Sequence, residues 1–195
     1  MTAFIKNTQN LKIERREWYD HLQFDISPLF RPNSYDAQIG SRLAALDSSP
    51  EAIRFFAAHC RMLTDYAYWF YLGVCWVQYT GWSELALWKA LFSADRPHRE
   101  ACLMKPKELR HFKALPKDVH CYRVHRPEEQ DWISYTLDFD TAKKFAKMRG
   151  VSRIHEYRIP RKRLACLFLR RHEYEVLCIE PRHARLFKVW EQVKP

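Results

Sequence analysis

Apolar residues at Ile53, Phe56, Cys60, Leu63, Ala67, Phe70, Val74 and Val77 recur at alternating steps of three and four. This is one continuous stripe along a helix of about 28 residues at the 3.6-residue period. Ser49-Pro50-Glu51 precedes it, a capping serine followed by a proline suited to the first helical position. Ser83-Glu84 opens a second helix through Leu85, Trp88, Leu91 and Phe92, and Pro97 and Pro106 start two shorter ones. Residues 1–47 read as a loop with short helices, because Pro28 and Pro32 break any longer one and Asn33-Ser34-Tyr35-Asp36 suggests a turn. From residue 118 the period changes to two. Val119, Cys121 and Val124 mark one strand and Ile133 to Thr136 a second, with further strands at Ile154 to Ile159, Leu164 to Leu169, Tyr174 to Ile179 and Ala184 to Val189. Between them Phe139 to Arg149 reads as a helix ended by Gly150. Helices followed by strands with one helix inserted predict an α+β fold, with a helical N-terminal region over residues 1–117 and a β-rich core over residues 118–195, together one compact domain.

Composition narrows the picture. At 195 residues and 47% hydrophobic the chain can bury a sizeable core, and its four glycines and scattered prolines mark no linker. A formal net charge of +10 favours an anionic partner such as nucleic acid, an acidic protein or an anionic surface, although a basic surface without such a ligand stays open. The cysteines at 60, 75, 102, 121, 166 and 178 form no CxxC pair and lie mostly in apolar runs, as expected of reduced thiols in a cytoplasmic protein. Cys121, His120 and His125 do not make a metal site, since a strand sends 120 and 125 to opposite faces and no fourth ligand recurs. The N-terminus lacks the apolar stretch of a secretory signal. The uncharged run from Tyr66 to Ser83 is shorter than the roughly 20 strongly apolar residues of a membrane span, and reads as a buried helix. Its Tyr66, Trp69, Tyr71 and Trp76 are either core or a docking surface for a partner helix.

Three short elements of the second half carry candidate chemistry. The first is Tyr122-Arg123 within VHCYRVHRP. The second is Ser134-Tyr135-Thr136, followed by a spacer and Ala142-Lys143-Lys144-Phe145-Ala146. The third is Glu173-Tyr174-Glu175 leading into Val176-Leu177. A paired carboxylate two residues apart on a strand faces one side, as do the hydroxyls of Ser134 and Thr136. Each element taken singly is also compatible with an ordinary role: surface glutamates on an edge strand, a surface arginine, strand hydroxyls, core aromatics.

In their order and spacing the three elements resemble the Arg, Ser-x-Thr, Glu-x-Glu pattern of the mono-ADP-ribosyltransferase family, over residues 118 to 190. The resemblance implies a split β-sheet core and NAD+ as co-substrate, with no metal. Loss of nicotinamide from NAD+ passes through an oxocarbenium-like ribosyl cation, so the reaction needs a fixed negative charge near the anomeric centre. Glu175 would supply it, and Glu173 would orient or deprotonate the acceptor. Arg123, beside Tyr122, would bind the NAD+ phosphates or the adenosine-side ribose. Ser134 and Thr136 would brace the pocket and orient the glutamate, and Phe145 or Tyr135 would stack on the nicotinamide ring.

Acceptor choice rests on charge. From Thr141 to Arg171 there are eleven Lys or Arg and one acidic residue, Glu156, and the loop before the last motif carries Arg170, Arg171 and His172. This favours RNA as acceptor, as in the RNA-modifying ADP-ribosyltransferase toxins of bacterial toxin-antitoxin and phage-defence modules. A protein arginine acceptor, NAD+ glycohydrolysis, and a non-catalytic nucleic-acid- or partner-binding module remain alternatives. On the toxin reading, an antitoxin would dock on the aromatic helix over residues 50–79.

Overall fold

The computed structural model describes residues 31–46, 49–79, 81 and 83–191. The reading of residues 1–30 therefore lies outside the described residues. Among the described residues six α-helices precede the first strand: α1 (Ser34–Leu46), α2 (Pro50–His59), α3 (Asp65–Gln78), α4 (Leu85–Phe92), α5 (Arg99–Leu103) and α6 (Pro106–Ala114). Strands β1 (Asp118–Arg123) and β2 (Ser134–Thr136) follow, then helix α7 (Phe139–Arg149). The chain continues through β3 (Arg153–Pro160), β4 (Cys166–Phe168), β5 (Glu175–Leu177) and β6 (Arg185–Glu191). The fold is α+β, helices first and then an antiparallel sheet.

The expected loop and turn at Asn33–Asp36 is instead the start of α1. Asn33 and Asp36 cap each other reciprocally, Asp36 N–H donating to Asn33 Oδ1 at 2.8 Å and Asn33 N–H to Asp36 Oδ2 at 3.2 Å. Turn-forming residues and helix-capping residues are the same types, because both use a short polar side chain to satisfy a nearby backbone group. The single 28-residue helix is likewise two. Helix α2 passes into a 3-10 turn at Cys60–Met62, Leu63 is extended, and Thr64 then caps α3 by accepting from Ala67 N–H. The apolar period survives the break because the buried faces of both helices meet one core. Asp36, fully buried, ties this corner by accepting from Thr64 N–H at 3.1 Å and Thr64 Oγ1 at 2.7 Å. Ser49 occupies the cap position of α2 without a side-chain cap, and α4 begins at Leu85 after a left-handed Glu84.

The strands form one six-stranded sheet in the order β4-β5-β2-β1-β3-β6, every pairing antiparallel. Hydrogen bonding runs from one edge to the other through all six strands. The junction between β1 and β2 is nonetheless thin: the register pairs Tyr122 with Thr136 only, whereas β1 and β3 pair over six positions. Two three-stranded halves thus meet at one point. One apolar core runs through both parts of the chain, from Ile39 on α1 to Cys178 after β5, with Phe56, Trp69, Leu72 and Phe92 wholly buried. Each such side chain contributes roughly 1.5–3 kcal/mol by leaving water. A second small cluster, Val124, Ala142, Ala146 and Ile154, seats α7 on the sheet. All six cysteines are buried free thiols, and burial pushes Cys75 up to about 12 and Cys102 and Cys178 to about 11. Thiols so disfavoured as thiolates are inert filling. Among the described residues no helix is long and apolar enough to cross a membrane, and no group of three or more His, Cys, Asp or Glu is placed to hold a metal ion.

Candidate functional site

The thin junction between β1 and β2 opens into a cavity of about 600 Å³, within the roughly 300–1,000 Å³ of ligand clefts. It brings together residues from distant parts of the chain: Trp76 and Val77 of α3, Trp88 of α4, Arg123 of β1, Ser134 and Thr136 of β2, Phe145 and Arg149 of α7, and Glu173 and Glu175. Where the strands separate, backbone pairing is lost, and a side chain replaces it. Arg123 reaches across to donate to the Ser134 carbonyl at 2.6 Å.

Glu175 opens β5, opposite Thr136 in register. Its carboxylate is fixed by two donors on different elements: Ser134 Oγ donates to Oε1, and Trp76 Nε1 donates to Oε2 at 2.8 Å. Burial pushes its pKa up to about 7; the bonds from Ser134 and Trp76 act against that, and the neighbouring Glu173 charge adds to it. A carboxylate of this kind stays ionised near neutral pH only through its donors, and gains from any cation placed beside it.

Glu173 does not share a strand face with Glu175. It precedes β5 in helical backbone, and Arg171, His172 and Tyr174 around it have φ of 61°, 56° and 48°. Left-handed backbone costs roughly 1–2 kcal/mol for each non-glycine residue. The loop is held in this shape from three sides. Thr136 Oγ1 donates to the Glu173 carbonyl at 2.6 Å, Leu137 N–H donates to the Tyr174 carbonyl at 2.9 Å, and Arg170 is pinned to α6. The i, i+2 strand argument fails here because the chain turns between the two glutamates. Both nevertheless line the cavity, and burial raises the Glu173 pKa against the pull of Arg171 and Arg149.

Arg123 is committed within the protein. Its guanidinium pairs through two nitrogens with Glu129, Nε to Oε2 at 3.1 Å, in addition to the Ser134 carbonyl. Glu129 also accepts from His125 at 2.9 Å. Burial works to raise Glu129, but the His125 and Arg123 hydrogen bonds outweigh it and hold the carboxyl at about 2. Tyr122 lies half-buried with its ring edge on Phe139, at 5.1 Å. Phe145 lines the cavity and carries the Arg149 guanidinium over its ring at 5.3 Å. Tyr135 borders the cavity with little of its side chain accessible. Its side chain is 2% exposed, packs edge-on against Tyr157 and accepts a hydrogen bond from Trp132 Nε1 at 2.7 Å.

The three residues expected to meet an acceptor separate. Arg170 is an anchor, with Nε 2.9 Å from Glu108 Oε1 and a terminal nitrogen 2.8 Å from Oε2 of this fully buried glutamate. Arg171 is exposed at the cavity and lies 3.6 Å from Glu173. His172 is exposed beside it but does not line the cavity. The proposed docking face on α2 and α3 also changes character. Trp69 is 0% exposed and bonds the Pro97 carbonyl, while Trp76 packs on Trp88 and Phe92 and points its N–H at Glu175. Trp69 is interior because α4 and α5 cover the face that the stripe alone left open, whereas Trp76 is half-buried and borders the cavity.

Glu129, Trp132 and Arg149 also line the cavity although no motif in the sequence marked them as site residues, and Trp76, read there as core or docking face, joins them because folding brings it to Glu175. Comparisons with protein-family models, with curated proteins and with solved structures give no match for this chain.

Proposed function

We propose that this chain is a mono-ADP-ribosyltransferase that cleaves NAD+ at the nicotinamide bond and passes ADP-ribose to a macromolecular acceptor. The observation that carries the reading is Glu175, a carboxylate locked by Ser134 and Trp76 in a cavity lined by arginines. Such a charge is oriented before the reaction begins, which is the condition for stabilising a developing cation cheaply. In the reaction the anomeric carbon–nitrogen bond breaks and its electron pair leaves with nicotinamide. Glu175 faces the ribosyl cation so formed, the acceptor nucleophile attacks the anomeric carbon, and its proton passes to Glu173. The thin β1–β2 junction is compatible with the split core that the family resemblance implies, the two halves of the sheet opening onto the dinucleotide.

Nucleic acid is the acceptor this reading favours. Lys143, Lys144 and Lys147 of α7, with Arg153, Lys162 and Arg163, are exposed, and Arg171 is exposed at the cavity itself. This is the distribution that attracts a phosphate backbone. The test is incubation of total RNA and total protein with NAD+ labelled in the ADP-ribose portion, comparing the wild type with Glu175→Gln. Label in RNA that vanishes in the variant supports both parts of the proposal, and label in protein alone replaces the acceptor. NAD+ consumed without label means a glycohydrolase, and NAD+ untouched overturns the reading in favour of a binding module.

A further inference from the structure

The cavity holds several arginines, and their partners are unequal. Arg170 is neutralised by Glu108 and Arg123 by Glu129. Arg149 differs. It ends α7, folds back over Phe145 and donates to the Val124 carbonyl, and no carboxylate among the described residues forms an ion pair with it. One carbonyl uses little of a guanidinium that has five N–H groups. Burial, with the Arg126 and Arg123 charges, lowers its pKa to about 10, Glu129 and Glu173 compensating only in part. A half-buried cation in this position is costly until an anion joins it. A helix-terminal arginine serving only the helix dipole would extend into solvent, whereas this one lines the cavity.

We infer that Arg149 holds the diphosphate of a nucleoside diphosphate ligand, taking the place expected of Arg123. Arg123 is unsuited to the task because the ionised Glu129 already holds its Nε–Nη2 edge and the Ser134 carbonyl takes Nη1, so any phosphate approaching it meets a negative charge. Arg123 instead keeps β1 and β2 joined across the cavity through the Ser134 carbonyl, and so fixes the strand that orients Glu175. Arg126, 3.5 Å from Glu129, adds positive potential on the same side. The assignment rests on the NAD+ reading for the identity of the natural ligand, but the diphosphate site is testable without turnover.

The experiment is calorimetric titration of the full chain with ADP and with ADP-ribose, in wild type, Arg149→Lys and Arg149→Gln, with thermal melts of each. Charge-assisted bonds to phosphate are strong, so Arg149→Gln lowers affinity for both ligands on the order of tenfold to a hundredfold. Arg149→Lys keeps the charge and loses the fork, and falls between. No binding of ADP by the wild type, or equal affinity in a folded Arg149→Gln, overturns the inference; if the glutamine variant melts early, the lysine variant decides by the same criterion. ADP bound through Arg149 with NAD+ left intact would sink the transferase reading alone. Glu175-dependent NAD+ consumption with an unchanged KM in Arg149→Gln would sink this inference alone.

Discussion

Trp76 and Glu175 are 99 residues apart in sequence and joined by a 2.8 Å hydrogen bond, indole Nε1 to carboxylate Oε2. The contact ties the helical half of the chain to the first residue of β5, so the helices are part of the site. Replacing Trp76 by Phe keeps a ring against Trp88 and Phe92 and removes only the donor. A hydrogen bond to a charged group is worth roughly 1.5–3 kcal/mol. Trp76→Phe is therefore expected to lower NAD+ turnover about tenfold or more and to move the acidic limb of the pH–rate profile to higher pH, with the far-ultraviolet circular dichroism unchanged. An unaltered profile would separate Trp76 from the chemistry.

Glu175 and Glu129 should make opposite contributions to stability as pH changes. Glu175 is raised from 4.5 to about 7, so its favourable contribution is fully present below pH 4.5 and is lost as pH rises through 7. The Glu175→Gln protein is expected to melt higher than wild type at pH 8, the difference closing towards pH 4.5. Glu129 is lowered from 4.5 to about 2, so its contribution is present above 4.5 and is lost as pH falls through 2. Glu129→Gln is expected to melt lower at pH 7 and to converge with wild type in acid. Melting curves at four or five pH values decide both.

The activity should follow the same group. If the ionised form of Glu175 is required, kcat/KM for NAD+ rises through pH 7 and flattens above it, since that ratio reports the free enzyme. A flat profile between pH 6 and 8 would mean that Glu175 does not titrate as the essential base form.

Glu108 accepts from Lys105 N–H, Leu169 N–H and two nitrogens of Arg170 while wholly buried. Removing one partner of a buried pair costs about 3–5 kcal/mol, because the other charge is stranded. For a chain of this size that lowers Tm by roughly 6–20 °C, which differential scanning calorimetry would read for Glu108→Ala. The double change Glu108→Leu with Arg170→Leu should recover much of the loss. It should still impair turnover, because the strained loop from Arg171 to Tyr174 loses its anchor.

Asp36 makes the corresponding prediction for the helical half. With two bonds from Thr64 and one from Asn33, Asp36→Ala should cost about 2–4 kcal/mol and loosen α1 first. Hydrogen exchange that shows α1 as protected as in wild type would contradict this.

Much of the secondary structure was legible because it depends on neighbours in sequence. The helix from Phe139 to Arg149, its glycine stop at Gly150 and all six strands follow from period and capping. The errors were also local in origin. Asn33 and Asp36 carry turn chemistry that serves equally as a helix cap, and an apolar stripe continued through Leu63 although the backbone did not. A periodic pattern reports which face is buried and is silent on whether one helix or two present it.

The sequence by itself determined the α+β order, the buried character of the cysteines, the positive charge and the set of polar residues on β1, β2 and the approach to β5. Only the tertiary structure decided which of these act on one another. It turned Glu173 off the strand line, gave Arg123 to Glu129, buried Trp69, brought Trp76 to Glu175 and left Arg149 with no carboxylate ion pair among the described residues. The reason is physical: the period of a helix or strand is set by covalent geometry within a few residues, whereas a hydrogen bond or ion pair between distant residues exists only after packing has removed water and fixed both ends.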